Sequence, residues 1–249
     1  MTRRRWIADK WDEATATLVG SQAEHLARVL RAQPGIEADV VAGGKVFHAV
    51  LAAMADGGPG GASEVRFNLI AEVKAEPALP ITLVMSIYKF DHMEWAIEKA
   101  TELGVAAIAP VISRRTEKHL GQAASKRVER WRRIAHEAAQ QSRRSDVPIL
   151  CEPTTLSVRV RAESSAVRLV LAEQERSTTL RNAVEESVNA AQLEMPTLEI
   201  AIGPEGGWAS EDQALFDTNG WRAVSLGPRI LRAETAAITA LAVVASIVD

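Results

Sequence analysis

Apolar and polar positions alternate through the first third of the chain, and a longer rhythm replaces that pattern afterwards. Thr15–Val19, Ala38–Val41, Val46–Ala52 and Glu64–Val73 are β-branched or alternating, which predicts strands with one buried face. Gly43-Gly44 lies between two of these runs, a two-residue hairpin signal. Ser21 with Glu24 three residues on predicts a capping box for a short helix through Leu30. That helix carries Arg28 and Arg31 toward one side, and Pro34-Gly35 ends it. Asp56 to Gly61 reads as a flexible glycine loop. Pro77 and Pro80 fit neither a helix interior nor a central strand, so Glu76 to Pro80 reads as a linker. A small β-barrel over residues 1–76 and a second domain over 77–249 are expected.

Past the linker, strand-like and helix-like segments alternate. Ile81–Ile87, Val105–Val111, Val167–Ala172, Leu198–Ile202 and Ala223–Leu226 are the predicted strands. Asp91 is expected to cap a helix that Gly104 closes. One long basic helix is expected over Ser125–Ser142, with Val128, Trp131, Ile134, Ala135 and Ala138 inward. Ser177 is expected to start another helix, Ser210 with Gln213 to box the next, and Glu234–Val248 to form the last. Trp95 and Trp131 are expected in the core, and Glu152 to Glu163 is left unassigned. The alternation implies an α/β domain with a mainly parallel sheet covered on both faces.

With 47% hydrophobic and 24% charged residues, the composition is that of a globular chain and excludes a disordered one. The single cysteine, Cys151, excludes an intramolecular disulfide and a cysteine-built zinc site. Arg3-Arg4-Arg5 has no apolar stretch behind it, so no secretory signal is expected. The apolar run Ala236–Val248 is too short for a comfortable membrane span, which leads to the expectation of a soluble cytoplasmic protein. The net charge of −3 conceals an asymmetry: Arg114 to Arg144 holds ten basic and three acidic residues. A basic strip on an otherwise acidic protein suits a polyanion partner, although a solvated helix face gives the same pattern.

In a parallel sheet, ligands sit beyond the carboxyl ends of the strands. Three loops leave such ends: Leu171-Ala172-Glu173-Gln174-Glu175, Gly203-Pro204-Glu205-Gly206-Gly207, and Leu226-Gly227-Pro228-Arg229-Ile230-Leu231-Arg232-Ala233-Glu234-Thr235. Glycines let bare backbone approach a ligand, and a helix N-terminus beside arginines suits an anion. Gly-Pro also marks ordinary turns, but two such loops after two buried strands make that account the weaker one. No dinucleotide fingerprint or phosphate loop is present. The five histidines (His25, His48, His92, His119, His136) show no metal-ligand spacing, so no metal is expected and each reads as a surface or packing residue.

The segments Ile202–Gly207 and Leu226–Ala236 closely resemble the signature of the SPOUT superfamily of knotted methyltransferases, and within it the RsmE family of 16S ribosomal RNA uracil N3-methyltransferases. Glu24–Arg31, Lys89–Glu94, Lys99–Val105 and Glu137–Arg143 are similar to further motifs of that family, so the likeness runs nearly end to end. The resemblance implies a PUA-like N-terminal barrel, a C-terminal domain with a deep trefoil knot, a homodimer, and S-adenosylmethionine as methyl donor. The acceptor it implies is N3 of one uridine (position 1498) of 16S ribosomal RNA in the small subunit. Carried onto this chain, Leu171, Ala172, Glu173, Gly203, Pro204, Glu205, Gly206, Leu226, Gly227, Ile230 and Leu231 become cofactor-binding candidates. Arg232, Glu234 and Arg143 become the catalytic candidates, and Arg28, Arg31, Arg127, Arg130 and Arg229 the RNA contacts.

An arginine would stabilise the anion developing on N3 or O4. Glu234 would orient it, take the proton, or only complement the dipole of the last helix. Two other readings stay open. One is a non-catalytic RNA-docking factor with the same fold, and the other a ribose 2′-hydroxyl methyltransferase.

Overall fold

The computed structural model describes residues 5–55, 63–191 and 195–248. The chain divides into two compact units, Met1–Pro77 with Ala139–Asp146, and Ala78–Ala138 with Val147–Asp249. The expected glycine loop over Asp56 to Gly61 lies outside the described residues.

The first unit is a six-stranded sheet in the order β1-β4-β5-β6-β3-β2. Its strands are β1 (Arg5–Ile7), β2 (Lys10–Trp11), β3 (Thr15–Val19), β4 (Glu37–Ala42), β5 (Lys45–Ala55) and β6 (Glu64–Val73). All ladders are antiparallel except β1 with β4. The sheet curls because one short segment serves both of its edges: β1 pairs with β4, Ala8 N–H donates to Val41 O, Asp9 N–H to Thr17 O, and β2 pairs with β3. This curl is the PUA-like barrel architecture, and no alternation over so few residues revealed β1 and β2. Gly43 and Gly44 take φ of 59° and 77°, the left-handed pair a tight hairpin needs between β4 and β5.

The helical insert departs from its expectation. Gly20 stands at the N-cap, so Ser21 lies inside the helix and makes no capping bond. Helix α1 (Ser21–Glu24) runs into a π-helical turn, His25–Val29. Arg31, at φ 50°, lies beyond that turn, which ends before Pro34-Gly35. Ala139–Asp146 groups with this unit, where Arg5 donates to the Arg143 carbonyl and Arg144 pairs with Asp146 at 2.7 Å.

The second unit is a parallel sheet in the order β10-β8-β7-β12-β11-β13, with β9 also on β8. It comprises β7 (Leu79–Ser86), α2 (Phe90–Glu102), β8 (Val105–Ile112), α3 (Lys118–Ala123), α4 (Val128–Gln141), β9 (Ile149–Leu150), β10 (Thr154–Thr155), α5 (Leu156–Arg161), β11 (Val167–Leu171), α6 (Leu180–Ala191), β12 (Leu198–Ile202), α7 (Ser210–Thr218), β13 (Arg222–Val224) and α8 (Ala233–Val248). Every ladder in it is parallel. β12 is buried at all five positions, the pattern of a strand covered on both faces. Its one charge, Glu199, is held by Arg159 at 2.9 Å and Ser164 at 3.1 Å.

Several local expectations are corrected. The basic helix is not one element, since α3 and a 3-10 turn at Ala124–Arg127 precede α4. Val128, Trp131, Ala135 and Ala138 are buried as expected, with Ile134 partly so. Trp95 is 46% exposed, because α2 buries Met93, Ala96, Ile97 and Ala100 and Trp95 lies off that stripe. Asp91 sits in the first turn of α2 without capping it. Ser177 does not start α6. Its N–H and hydroxyl donate to Glu175, and Thr179 caps instead, its hydroxyl accepting from Asn182 N–H at 3.1 Å. At α7 the reach-back comes from Asp212, which accepts from Ala209 N–H at 3.3 Å, rather than from Ser210 with Gln213. The unassigned Glu152–Glu163 stretch supplies β10 and α5, capped by Thr155. Among the described residues no helix is long and apolar enough to cross a membrane.

Candidate functional site

Beyond the carboxyl ends of β11, β12 and β13 lies a cleft with a cavity volume of about 140 Å³. All eleven residues named as cofactor candidates line it: Leu171, Ala172, Glu173, Gly203, Pro204, Glu205, Gly206, Leu226, Gly227, Ile230 and Leu231. Parallel register brings them together. Val170 lies opposite Ala201 on one side and Ala223 on the other, so three loops from distant sequence leave the sheet side by side.

Each loop is braced. Gly207 N–H donates to Pro204 O at 2.8 Å, closing a turn that needs the φ of 69° at Gly207. The Trp208 indole N–H donates to Leu171 O at 3.1 Å and ties the second loop to the first. Ala172 N–H donates to Val224 O at 3.1 Å, and Gly227 N–H to Ser225 Oγ at 3.1 Å. Arg115, leaving the end of β8, donates to Gly206 O and lines the cleft. The sequence counted Arg115 only as one charge in the basic strip, since nothing in spacing links it to a carbonyl 91 residues on. Gln213 and Arg176 also line the cleft and were likewise missed.

The chemistry of the walls is mixed. Apolar Leu171, Ile202, Leu226 and Ile230 line the cleft together with backbone-rich turns, and Glu173 and Arg229 add one charge of each sign. Ile230 is 76% exposed, an apolar surface at the mouth that a planar ligand could cover.

The catalytic candidates fall in different places. Arg232 is exposed just before α8 and Glu234 lies in the first turn of α8, and neither lines the cleft. Glu234 is 6% exposed, with Oε1 at 3.7 Å from His92 Nδ1. Tyr88 lies near it, and burial, then the Glu234 and Glu205 charges, push its phenol above the ordinary value. Arg143 belongs to the first unit, with its backbone at φ 60°.

Of the RNA candidates, Arg28 and Arg31 are exposed on the first unit, and Arg229 is exposed at the cleft. Arg130 makes a two-pronged bond to Glu94 at 2.7 and 2.8 Å. Arg127 lies 3.7 Å from the same carboxylate, with its guanidinium 4.9 Å from the Phe90 ring centre. Glu94 therefore offsets part of the charge these two arginines were expected to offer.

Residues 75–245 match the family model described as an RNA methyltransferase domain. Over 240 residues the chain is 35% identical to a ribosomal RNA small subunit methyltransferase E of Synechocystis, covering 95% of this chain and 75% of that protein. The chain belongs to this methyltransferase family. Another member, from Mycobacterium bovis, is 34% identical over 93% of this chain and 86% of its own length. A crystal structure of the Neisseria gonorrhoeae member bound to S-adenosylmethionine is 28% identical with a TM-score of 0.77, covering 98% of both chains. Membership makes this chain a methyltransferase enzyme, and the Leu226–Ala236 loop is where the family signature and the cleft coincide.

Proposed function

We propose that the protein methylates N3 of one uridine, position 1498, in 16S ribosomal RNA, using S-adenosylmethionine and acting on the small subunit. The observation that carries this reading is the convergence of three braced loops on one cleft at the carboxyl edge of the sheet. The cleft suits the donor: apolar walls for an adenine, exposed backbone for its polar edge, and Glu173 for a cationic group. When bound, S-adenosylmethionine supplies a methyl group already activated on a sulfonium.

The protein's own task is to bind, orient and manage one proton. Leu171, Ala172, Glu173, Gly203, Pro204, Glu205, Gly206, Leu226, Gly227, Ile230 and Leu231 hold the donor. Arg232 stabilises the negative charge that develops on N3 or O4 as the N3 proton passes to solvent water. The N3 lone pair then takes the methyl group from the sulfonium, which leaves as the neutral thioether. Arg143 is the second candidate for that charge. Glu234, buried and turned toward His92, serves to orient the start of α8 and complements its dipole. Arg28, Arg31 and Arg229 contact phosphates, and Arg127 and Arg130 contribute the charge that Glu94 leaves.

The reading includes the trefoil knot, a cytoplasmic location and a homodimer. Half-buried Val243 and Ile247 on α8 and the exposed Trp95 on α2 support an apolar subunit contact. Sedimentation should give a dimer at micromolar concentration, and a monomer there removes that part. The deciding experiment is mass spectrometry of ribosomal RNA from cells with and without the gene. Loss of one N3-methyluridine is expected. An unchanged methyluridine content overturns the reading.

A further inference from the structure

Next to the cleft, Glu205 belongs to a cluster of charged groups in which the family resemblance gave His92 no role. His92 Nδ1 lies near two carboxylates, Glu205 Oε1 at 3.4 Å and Glu234 Oε1 at 3.7 Å. On its other side Nε2 lies 3.9 Å from Asp91 Oδ2. Lys89 Nζ is 3.6 Å from Glu205 Oε2, and Tyr88 lies close to both glutamates. These groups come from the end of β7, the start of α2, the β12–α7 loop and the first turn of α8.

Two facts make the arrangement more than packing. A carboxylate only accepts, so a hydrogen bond from the imidazole to either glutamate requires the hydrogen on Nδ1. At the observed separations neither contact is a hydrogen bond. His92 Nδ1, Glu234 Oε2 and Tyr88 Oη are buried atoms with no hydrogen-bond partner. A shift of the Glu205 side chain by a few tenths of an ångström would satisfy the imidazole, and Glu205 rides on the turn that lines the cleft.

We propose that His92 is a positioning residue for the cleft: its Nδ1–H bridges Glu205 and Glu234 and fixes the Pro204–Gly207 turn against the first turn of α8 when ligand is bound. Without that hydrogen, two carboxylates would confront each other at a poorly solvated site. Glu205 is the more exposed of the two, so it would swing outward and carry the turn with it. Lys89 alone, more exposed still, holds only the outer oxygen.

The inference rests on the proposed donor, and its test separates the two. Calorimetry of S-adenosylmethionine binding is run on wild type, His92→Leu, His92→Asn and His92→Gln, with thermal unfolding of each. Asn places an amide N–H near the position of Nδ1, whereas Gln places it near Nε2. The expected result is an affinity loss of about tenfold for Leu and Gln, with Asn within about twofold of wild type. The same ordering is expected in KM for the donor, with methyl transfer at saturating donor little changed. Wild-type affinity in His92→Leu, or rescue by Gln as good as by Asn, overturns the inference while leaving the donor reading intact. If His92→Leu fails to fold, the Asn and Gln pair decides. A wild-type protein that does not bind the donor overturns both.

Discussion

Replacing Gly203 by alanine tests whether that glycine serves the ligand or the fold. A Cβ there would stand 3.3, 3.4 and 3.5 Å from three atoms of the Trp208 indole. Comfortable contact is about 3.5–4.0 Å, so the ring must retreat by roughly 0.4 Å. It has little room. Trp208 is 6% exposed, packs edge-on to Phe216 at 4.8 Å, and Phe216 packs in turn on Trp221 at 5.2 Å. The same movement strains the indole bond to Leu171 O. Overpacking of this kind costs about 1–3 kcal/mol, and the stiffer unfolded chain returns about 0.4–1 kcal/mol. The net loss lies between about 0 and 2.6 kcal/mol and centres near 1.3 kcal/mol, a fall in Tm of roughly 3–5 °C for a chain of this size. At Gly206 the account differs. A Cβ meets only Arg115 Cδ, at 3.6 Å, so Gly206→Val should keep its Tm and lose donor affinity through the cleft alone. Thermal unfolding and donor calorimetry on both variants check this. A Gly203→Ala protein as stable as wild type would refute the packing argument, and so would an unaltered donor affinity in Gly206→Val for the cleft.

Arg232→Ala should bind donor and RNA normally yet transfer methyl about 10²–10³ more slowly in single-turnover assays; a wild-type rate there moves the role to Arg143. Arg127→Ala with Arg130→Ala should weaken RNA binding and flatten its salt dependence, while Glu94→Gln should strengthen binding by freeing both arginines. Titration against salt reads both. Glu175 accepts from the Ser177 hydroxyl and from the Ser177 and Thr178 amides, which hold its carboxyl down to about 2. A depressed folded-state value means its stabilisation is present above the ordinary carboxylate range and is lost as pH falls toward 2. Glu175→Gln should therefore lower Tm at neutral pH, and the difference from wild type should close on acidification. A Tm difference independent of pH would contradict that linkage.

The longer strands were legible in the sequence because each signals itself locally, whereas β1, β2, β9 and β10, of two or three residues, are too short to carry a pattern. Leu198–Ile202 is apolar at every position but Glu199, and Glu64–Val73 alternates over its first half, so both appear at the positions the pattern predicts. Helix ends were less legible, since Ser21, Asp91 and Ser210 all have capping side chains and the actual caps depend on where the chain enters. The loop residues of the cleft were visible because glycine and proline mark backbone that must bend, and their meaning came from the family signature. What joins those loops was not visible. Arg115 to Gly206, Trp208 to Leu171, and His92 between Glu205 and Glu234 are contacts across long stretches of sequence. Local pattern encodes which face of an element is buried. Only the parallel register of the sheet decides which distant side chains then share one end of it, and so the sequence by itself determined the longer elements and the family resemblance, while the tertiary structure decided the short edge strands, the helix ends and the partners of the charged groups.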